Sequence, residues 1–332
     1  VLLGGVLTDA LDWHWIFLVN IPIGIGVFAL CVYLIPADAD RTASTRLDVA
    51  GSVTVTTSLM LAVYAIVNGN DAGLTSTQTM GLLAAAAVLL AAFLTIEARV
   101  RAPLMPLALF KIRSVATANV VGVLWAAAMF AWFFISALYL QRVLGYSPLQ
   151  VGLAFLPSNL IMAAFSAGLS AKLVMRFGIR TPLAVGLAIA AVGLALFARA
   201  PVDGNFVVDV LPGMLLLGLG AGMAFNPVLL AAMSEVAPSE SGLASGVVNT
   251  SFMMGGALGL AVLASLADGR SDELVASAAA VPVALAAGYH VAFVGGTLFA
   301  AAAALLSALL LRPGREAQAD ESASAAPEGS SG

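Results

Sequence analysis

Few side chains in this sequence are of a kind that does acid–base, nucleophilic or metal chemistry, and their spacing gives most of them a plainer role. The two histidines, His14 and His290, fall at the ends of different apolar runs, with no Ser or Cys placed beside either as a nucleophile–base pair requires. Cys31 is the single cysteine. It forms no intrachain disulfide, and one thiol with two distant histidines makes no metal site. It is expected to be a small residue facing lipid or core. No GxxxxGK[ST] loop occurs, which argues against direct ATP coupling within the segment. Gly218, Gly220 and Gly222 (GLGAG) look like a dinucleotide fingerprint, but they lie inside an apolar run, where close helix packing explains them better. An ion-coupled carrier needs a buried titratable group. Between Ser114 and Leu311 no acidic residue lies near the middle of a run: Asp209 is close to one end, and Glu235 is just beyond another. A proton-carrying side chain is therefore expected outside this stretch.

The remaining candidates are amides, aromatics and glycines. Asn119, Asn159, Asn226 and Asn249 are the polar residues worth weighing inside the runs. Asn159 lies eleven residues past Pro148, so roughly 17 Å along a helix, near the middle of a bilayer. An amide at that depth must find a partner. It serves either as glue between helices or as a contact for solute in a wet cavity. Trp125, Met129 and Trp132 fall at i, i+4 and i+7 on one helix face. With Phe133 they make either an adaptable aromatic wall for a large apolar ligand or a ridge against lipid. Glycines recur at four-residue spacing, Gly218 with Gly222, Gly242 with Gly246 and Gly255 with Gly259. In lipid such glycines let helix backbones approach closely, and they also leave helices able to slide.

The elements that position these residues follow from composition. Of 332 residues 61% are hydrophobic and only 10% charged, with a mean hydropathy of +1.03. A soluble domain carries roughly 25% charged residues. The net charge of −4 argues against a nucleic-acid partner. After an apolar stub, Val1 to Thr8, nine runs follow: Trp13–Ile35, Leu47–Asn68, Thr79–Ala98, Ser114–Tyr139, Pro148–Ala171, Pro182–Ala198, Phe206–Met233, Leu243–Ala267 and Gly288–Leu311. About 20 apolar residues cross the ~30 Å hydrocarbon core as a helix. Nine such runs in series cannot share one soluble core, and they lack the period-2 alternation of a barrel wall. The fold class is an all-α polytopic transmembrane bundle. The outer link Asp268–Ala287 is mostly small residues and has room for a short interfacial helix, and the tail after Leu311 is expected to be disordered.

Alternate links divide the fourteen Lys and Arg residues unequally. Arg41, Arg46, Arg99, Arg101, Lys111, Arg113, Lys172, Arg176, Arg180, Arg312 and Arg315 fall in one set, and Arg142, Arg199 and Arg270 in the other. The positive-inside rule makes the first set cytoplasmic, and with it the carboxy-terminal tail.

Gly4-Gly5 followed by WHWIFLVNIPIG (Trp13–Gly24) resembles the fourteen-span drug:proton antiporters of the major facilitator superfamily. That family carries a GPxxGG motif on its fifth span and then a WRWIFxxNxPIG segment. Here the Gly-Pro half falls before Val1, and His14 stands where Arg is usual. LYLQRVLGYSPLQVGLAFLP (Leu138–Pro157), AKLVMRFGIR (Ala171–Arg180) and SGLASGVVNTSFMMGGALGLAV (Ser241–Val262) match in family order.

The resemblance implies a carboxy-terminal portion lacking four spans and most of a fifth. Residues 1–35 would end the first six-span bundle, 36–113 hold two inserted spans and a cytoplasmic link, 114–311 form the second bundle, and 312–332 form the tail. It also implies that the spans Ser114–Tyr139 and Phe206–Met233 line the cavity. That raises Asn119, Trp125, Met129, Phe133, Phe225 and Asn226 as substrate contacts. Gly4 and Gly5 become a remnant of the antiporter motif. The turn with Lys172, Arg176, Gly178 and Arg180 resembles the family's cytoplasmic gate loop, with Lys172 near the place of its usual acidic member. The family's proton-carrying acid and membrane-embedded Arg fall in spans not present here.

The function so implied is efflux of hydrophobic or cationic small molecules or antibiotics by alternating access in the cytoplasmic membrane. The proton gradient would supply the energy, and no bound cofactor or metal is required. The partners would be the lipid bilayer, the solute and the amino-terminal spans. An exporter or facilitator of one metabolite is the alternative. A polytopic enzyme or scaffold would need clustered polar or metal-binding residues at one membrane face, and the sequence has none. In intact cells a membrane-impermeant thiol reagent should reach cysteines placed in the link around Arg142. It should spare those in the Arg99–Arg113 and Lys172–Arg180 turns; finding these two turns on opposite faces would overturn the topology.

Overall fold

A computed structural model describes residues 2–34, 48–73, 75–100, 103–234, 236 and 241–311, without the side chains of 2, 70, 71 and 241. Arg41, Arg46, Arg101, Arg312 and Arg315, the acidic Glu235 and the tail 312–332 lie outside the described residues.

The described chain is a series of helices, with no strand among them. They are α1 (Leu2–Ala10), α2 (Trp15–Leu34), α3 (Val49–Ala72), α4 (Thr77–Glu97), α5 (Arg113–Val143), α6 (Pro148–Phe177), α7 (Arg180–Phe197), α8 (Phe206–Met233), α9 (Ser241–Ala276) and α10 (Val281–Leu310). Nine of them, α2 to α10, are long and apolar enough to cross a membrane. Hydrocarbon offers no water to backbone N–H and C=O groups, so each run closes its own hydrogen bonds as a helix.

Local signals set the ends. Ser147 and Gln150 form a reciprocal capping box at the start of α6: the Ser147 N–H donates to Gln150 Oε1 at 2.8 Å and the Gln150 N–H to Ser147 Oγ at 3.3 Å. Pro148 occupies the first turn, where its missing donor costs nothing. Gly178 stops α6 with φ +73, its N–H reaching Val174 O at 2.8 Å.

Two elements depart from the sequence expectation. The link Asp268–Ala287 carries no separate helix. α9 runs on to Ala276 and α10 begins at Val281. Arg270, Glu273, Leu274 and Ala276 favour helix, an Arg270–Glu273 pair at 2.6 Å bridges i and i+3, and no proline intervenes before Pro282. Nor is α6 straight: it breaks at Phe155 and passes through a wide turn, Phe165–Leu169, in which Gly168 has φ +135.

Helices α5 to α10 pack as one body. Its core holds Trp125, Trp132, Ile135, Tyr139, Leu183, Leu187, Leu194, Phe197, Met214, Leu217 and Phe293. Between helices the contact is made through missing side chains. A β-carbon on Gly218 would lie 2.5 Å from Ser158 O, and one on Gly222 would lie 2.7 Å from Phe165 Cβ, so this face of α8 sits against α6. Gly220, on the opposite face, comes equally close to Gly186 O of α7. Gly255 meets Val123 and Gly259 meets Ala127, both on α5. Gly242 and Gly246 have no atom of the described residues within 4 Å of that position.

At one end of this body two side chains pin the link after α7. Tyr139 Oη donates to Pro201 O at 2.6 Å, and His290 Nε2 bonds Ala200 O at 2.8 Å.

The other helices attach to this body in turn. α3 and α4 form a hairpin through the Ser58 hydroxyl, which donates to Ala86 O at 2.7 Å, and α3 rests on α9, where Ser265 Oγ reaches Ile66 O at 3.4 Å. α1 lies on the first turns of α6, with Gly5 buried against Pro148. α2 buries none of its residues, and Cys31 on it is exposed. Between α1 and α2, Asp12 Oδ1 accepts the His14 N–H at 2.6 Å and faces Nδ1 at 2.7 Å, which holds this exposed carboxyl below its usual range.

Filling the closest contacts should be costly. G218V and G259V in the purified full-length protein should each lose on the order of 1–3 kcal/mol in a thermal or denaturant melt. V294A, at a half-exposed position on α10, should stay within about 0.5 kcal/mol.

Candidate functional site

Helices α5 and α8 lie against each other, and both pack on α9. The six expected substrate contacts on α5 and α8 separate into two groups. Asn119 and Trp125 are interior: Asn119 is 4% exposed and Trp125 is fully buried. The amide Nδ2 of Asn119 donates to Val115 O one turn back at 2.8 Å, while Asn119 Oδ1 and Trp125 Nε1 have no partner among the described residues. Met129, Phe133 and Asn226 are half-buried, and Phe225 is 41% exposed. Trp132 is as deeply enclosed as Trp125, so this face of α5 is turned into protein and is not a ridge against lipid.

Around the accessible residues the fold assembles two aromatic groups that no single run reveals. Phe252 of α9 stands edge-on to Phe130 of α5 (6.3 Å between centroids) and to Phe225 of α8 (6.0 Å), joining three helices. Phe155 of α6 stacks on Phe133 at 5.5 Å and 16°, and it lies 6.1 Å from Trp132. Phe130, Phe155 and Phe252 were missed by spacing, because each lies on a different helix or off the tryptophan face.

Pro227 follows Asn226 inside α8. It supplies no N–H to Met223 O and so weakens the helix beside the exposed Phe225. Ring faces and a thioether suit flat apolar groups, and ring quadrupoles attract cations without a carboxylate.

The basic turn is built by the end of α6 and the start of α7. Lys172 and Arg176 are exposed, Arg180 is half-buried, and Gly178 provides the positive-φ corner. Arg176 lies over the Phe177 ring at 5.2 Å. None of the three cations forms an ion pair among the described residues. At the other end of the body, Leu196, Arg199, Ala200, Val208, Asp209 and Pro212 line an open cleft of about 380 Å³, which includes none of the six candidates.

Comparison with known proteins bears on the whole chain. The family model of the Major Facilitator Superfamily matches residues 1–260. The chain is 34% identical over 330 residues to the puromycin resistance protein of Streptomyces alboniger, covering 98% of this chain and 65% of that protein. It is 34% identical over 313 residues to the cephamycin export protein of Amycolatopsis lactamdurans, covering 93% and 63%. It is 33% identical over 264 residues to the multidrug resistance protein Stp of Mycobacterium tuberculosis, covering 80% and 48%. The chain thus spans about half to two thirds of the length of these relatives.

The two groups of candidates should differ in accessibility. In the full-length protein with Cys31 replaced by Ser, F225C and N226C should react with a charged thiol reagent and W125C should not. Equal protection of all three would remove Phe225 and Asn226 from any aqueous cavity.

Proposed function

This chain belongs to the Major Facilitator Superfamily, and on that premise we propose that it forms half of the transport path of a multi-pass membrane exporter of small, hydrophobic or cationic molecules. The observation that carries this proposal is the Phe130–Phe252–Phe225 group, with Met129 and Phe133 close by: an aromatic, carboxylate-free surface where α5 and α8 are accessible. Such a surface selects by shape and π-face contact, which suits apolar and cationic solutes. The named relatives, an antibiotic resistance protein, an antibiotic export protein and a multidrug resistance protein, support the same chemistry of substrate.

Residues 114–311 act as the second six-span bundle, α3 and α4 as the inserted pair, and further spans of the full-length protein supply the facing bundle. Two bundles rocking about a midplane site then carry solute outward. Protons supply the energy through acidic groups of those other spans. The protein performs no catalysis. The turn Lys172–Arg180 lies at the cytoplasmic face, in keeping with six described cations (Arg99, Lys111, Arg113, Lys172, Arg176, Arg180) against three (Arg142, Arg199, Arg270) at the other face. A narrower exporter of one compound is favoured by two relatives whose names specify a single antibiotic each.

Cells producing the full-length protein should retain less of a fluorescent aromatic cation than cells without it, and a protonophore should abolish the difference. F225A at equal expression should weaken transport of that cation by up to about tenfold, the equivalent of ~1.4 kcal/mol. Unchanged retention over a broad panel of dyes and antibiotics would overturn export, whereas resistance to one compound alone would select the narrow reading.

A further inference from the structure

Two carboxylates meet on the inserted pair, apart from the six candidate substrate contacts. Asp48 caps α3, its Oδ1 accepting the Gly51 N–H at 2.8 Å. Glu97 ends α4, its Oε2 accepting the Met105 N–H at 3.0 Å. Asp48 is 7% exposed and Glu97 3%. The second oxygen of each, Asp48 Oδ2 and Glu97 Oε1, is buried without a hydrogen-bond partner among the described residues. Both oxygens face the same glycine: a β-carbon on Gly51 would lie 3.0 Å from Glu97 Oε1 and closer still to Asp48 Oδ2.

No cation among the described residues pairs with either group. Arg99 follows α4, and Lys111 and Arg113 lie where the link enters α5; all three are exposed. Asp71 sits at the far end of α3, and Asp268, Arg270, Asp272 and Glu273 sit at the far end of α9.

Capping a helix and holding a link each use one oxygen, and Asn or Gln would serve as well. Those duties leave unexplained why both residues carry a second anionic oxygen. Two ionised carboxylates placed together repel, and a desolvated oxygen without a donor is costly. A single proton removes both penalties, because one carboxyl then donates its O–H to the other. A divalent metal fits less well. Mg²⁺ or Ca²⁺ takes six or more oxygens, and no group of three or more His, Cys, Asp or Glu residues able to hold a metal occurs among the described residues.

We propose that Asp48 and Glu97 form a proton-binding site on the inserted helix pair, holding one proton between Asp48 Oδ2 and Glu97 Oε1. The site lies where the link into the second body is anchored. Beyond Met105 that link packs Leu109 against Val115 of α5 and against Ala244 and Val247 of α9. The proposal stands apart from the export reading and from the Phe225 surface.

Infrared spectroscopy of the full-length protein, exchanged between H₂O and D₂O near neutral pH, tests it through the C=O stretch of protonated carboxyls. D48N and E97Q each keep the cap and the link oxygen and offer an N–H in place of the shared O–H, so both should fold. Each should lose the same one carboxyl band, and the double variant D48N/E97Q should lose no more. Labelling the unsubstituted protein with ¹³C-aspartate or ¹³C-glutamate gives a readout without substitution: one of the two labels should move that band. No band lost in either variant would overturn the proposal, and so would two separate losses that add in the double variant. A Mg²⁺- or Ca²⁺-dependent rise in melting temperature that disappears in both variants, with no carboxyl band, would overturn it in favour of a metal.

Discussion

Hydrocarbon cannot solvate a peptide group, and from that constraint the rest of the structure descends. Each run must satisfy its own backbone, so the chain becomes a series of helices. Lipid is as apolar as the helices themselves, so exclusion from water cannot hold them together, and close packing has to do so. The contacts of Gly218 and Gly222 with α6, of Gly220 with Gly186 of α7, and of Gly255 and Gly259 with α5 meet that demand. Helix α8 is clasped on both sides because residues two apart on a helix face in nearly opposite directions, while residues four apart share a face.

The same constraint explains where polar groups are found. Hydroxyls in the spans largely turn back on carbonyls of their own helix, as in Ser271 with Ala267 and Ser307 with Ala303. A few cross to a neighbour and fix the order of helices, notably Ser58 to Ala86 and Ser265 to Ile66. Against that background the unpartnered oxygens of Asp48 and Glu97 are unusual, because a buried anionic oxygen without a donor is unfavourable unless something else occupies it. Unpartnered Trp125 Nε1 and Asn119 Oδ1 are neutral and cost less.

Function in such a body depends on which side chains face away from the packed interior. Phe225 and Asn226 do so on α8 beside Pro227, where the backbone is already short of one hydrogen bond. Phe252 then joins α8 to α5 through ring contacts and not through backbone approach. Rings slide against one another at smaller cost than interlocked glycine faces do. The aromatic junction is therefore the more compliant contact of this bundle, and the α6–α8 and α5–α9 glycine contacts are the stiffer ones.

The sequence by itself determined how many times the chain crosses, roughly where, and which links are rich in cations. Those properties depend on hydropathy and charge along the chain, and lipid acts on them one segment at a time. The family could be recognised for the same reason, from contiguous motifs such as WHWIFLVNIPIG. Tertiary structure decided what each helix turns toward its neighbours. It enclosed Trp125 and Asn119 but left Phe225 accessible, brought Phe130, Phe155 and Phe252 to the candidate surface, and set Asp48 beside Glu97 from the two helices of the inserted hairpin. Nearly uniform apolar helices carry little periodicity to mark an inner face, so rotation about each axis is fixed only when close packing selects it.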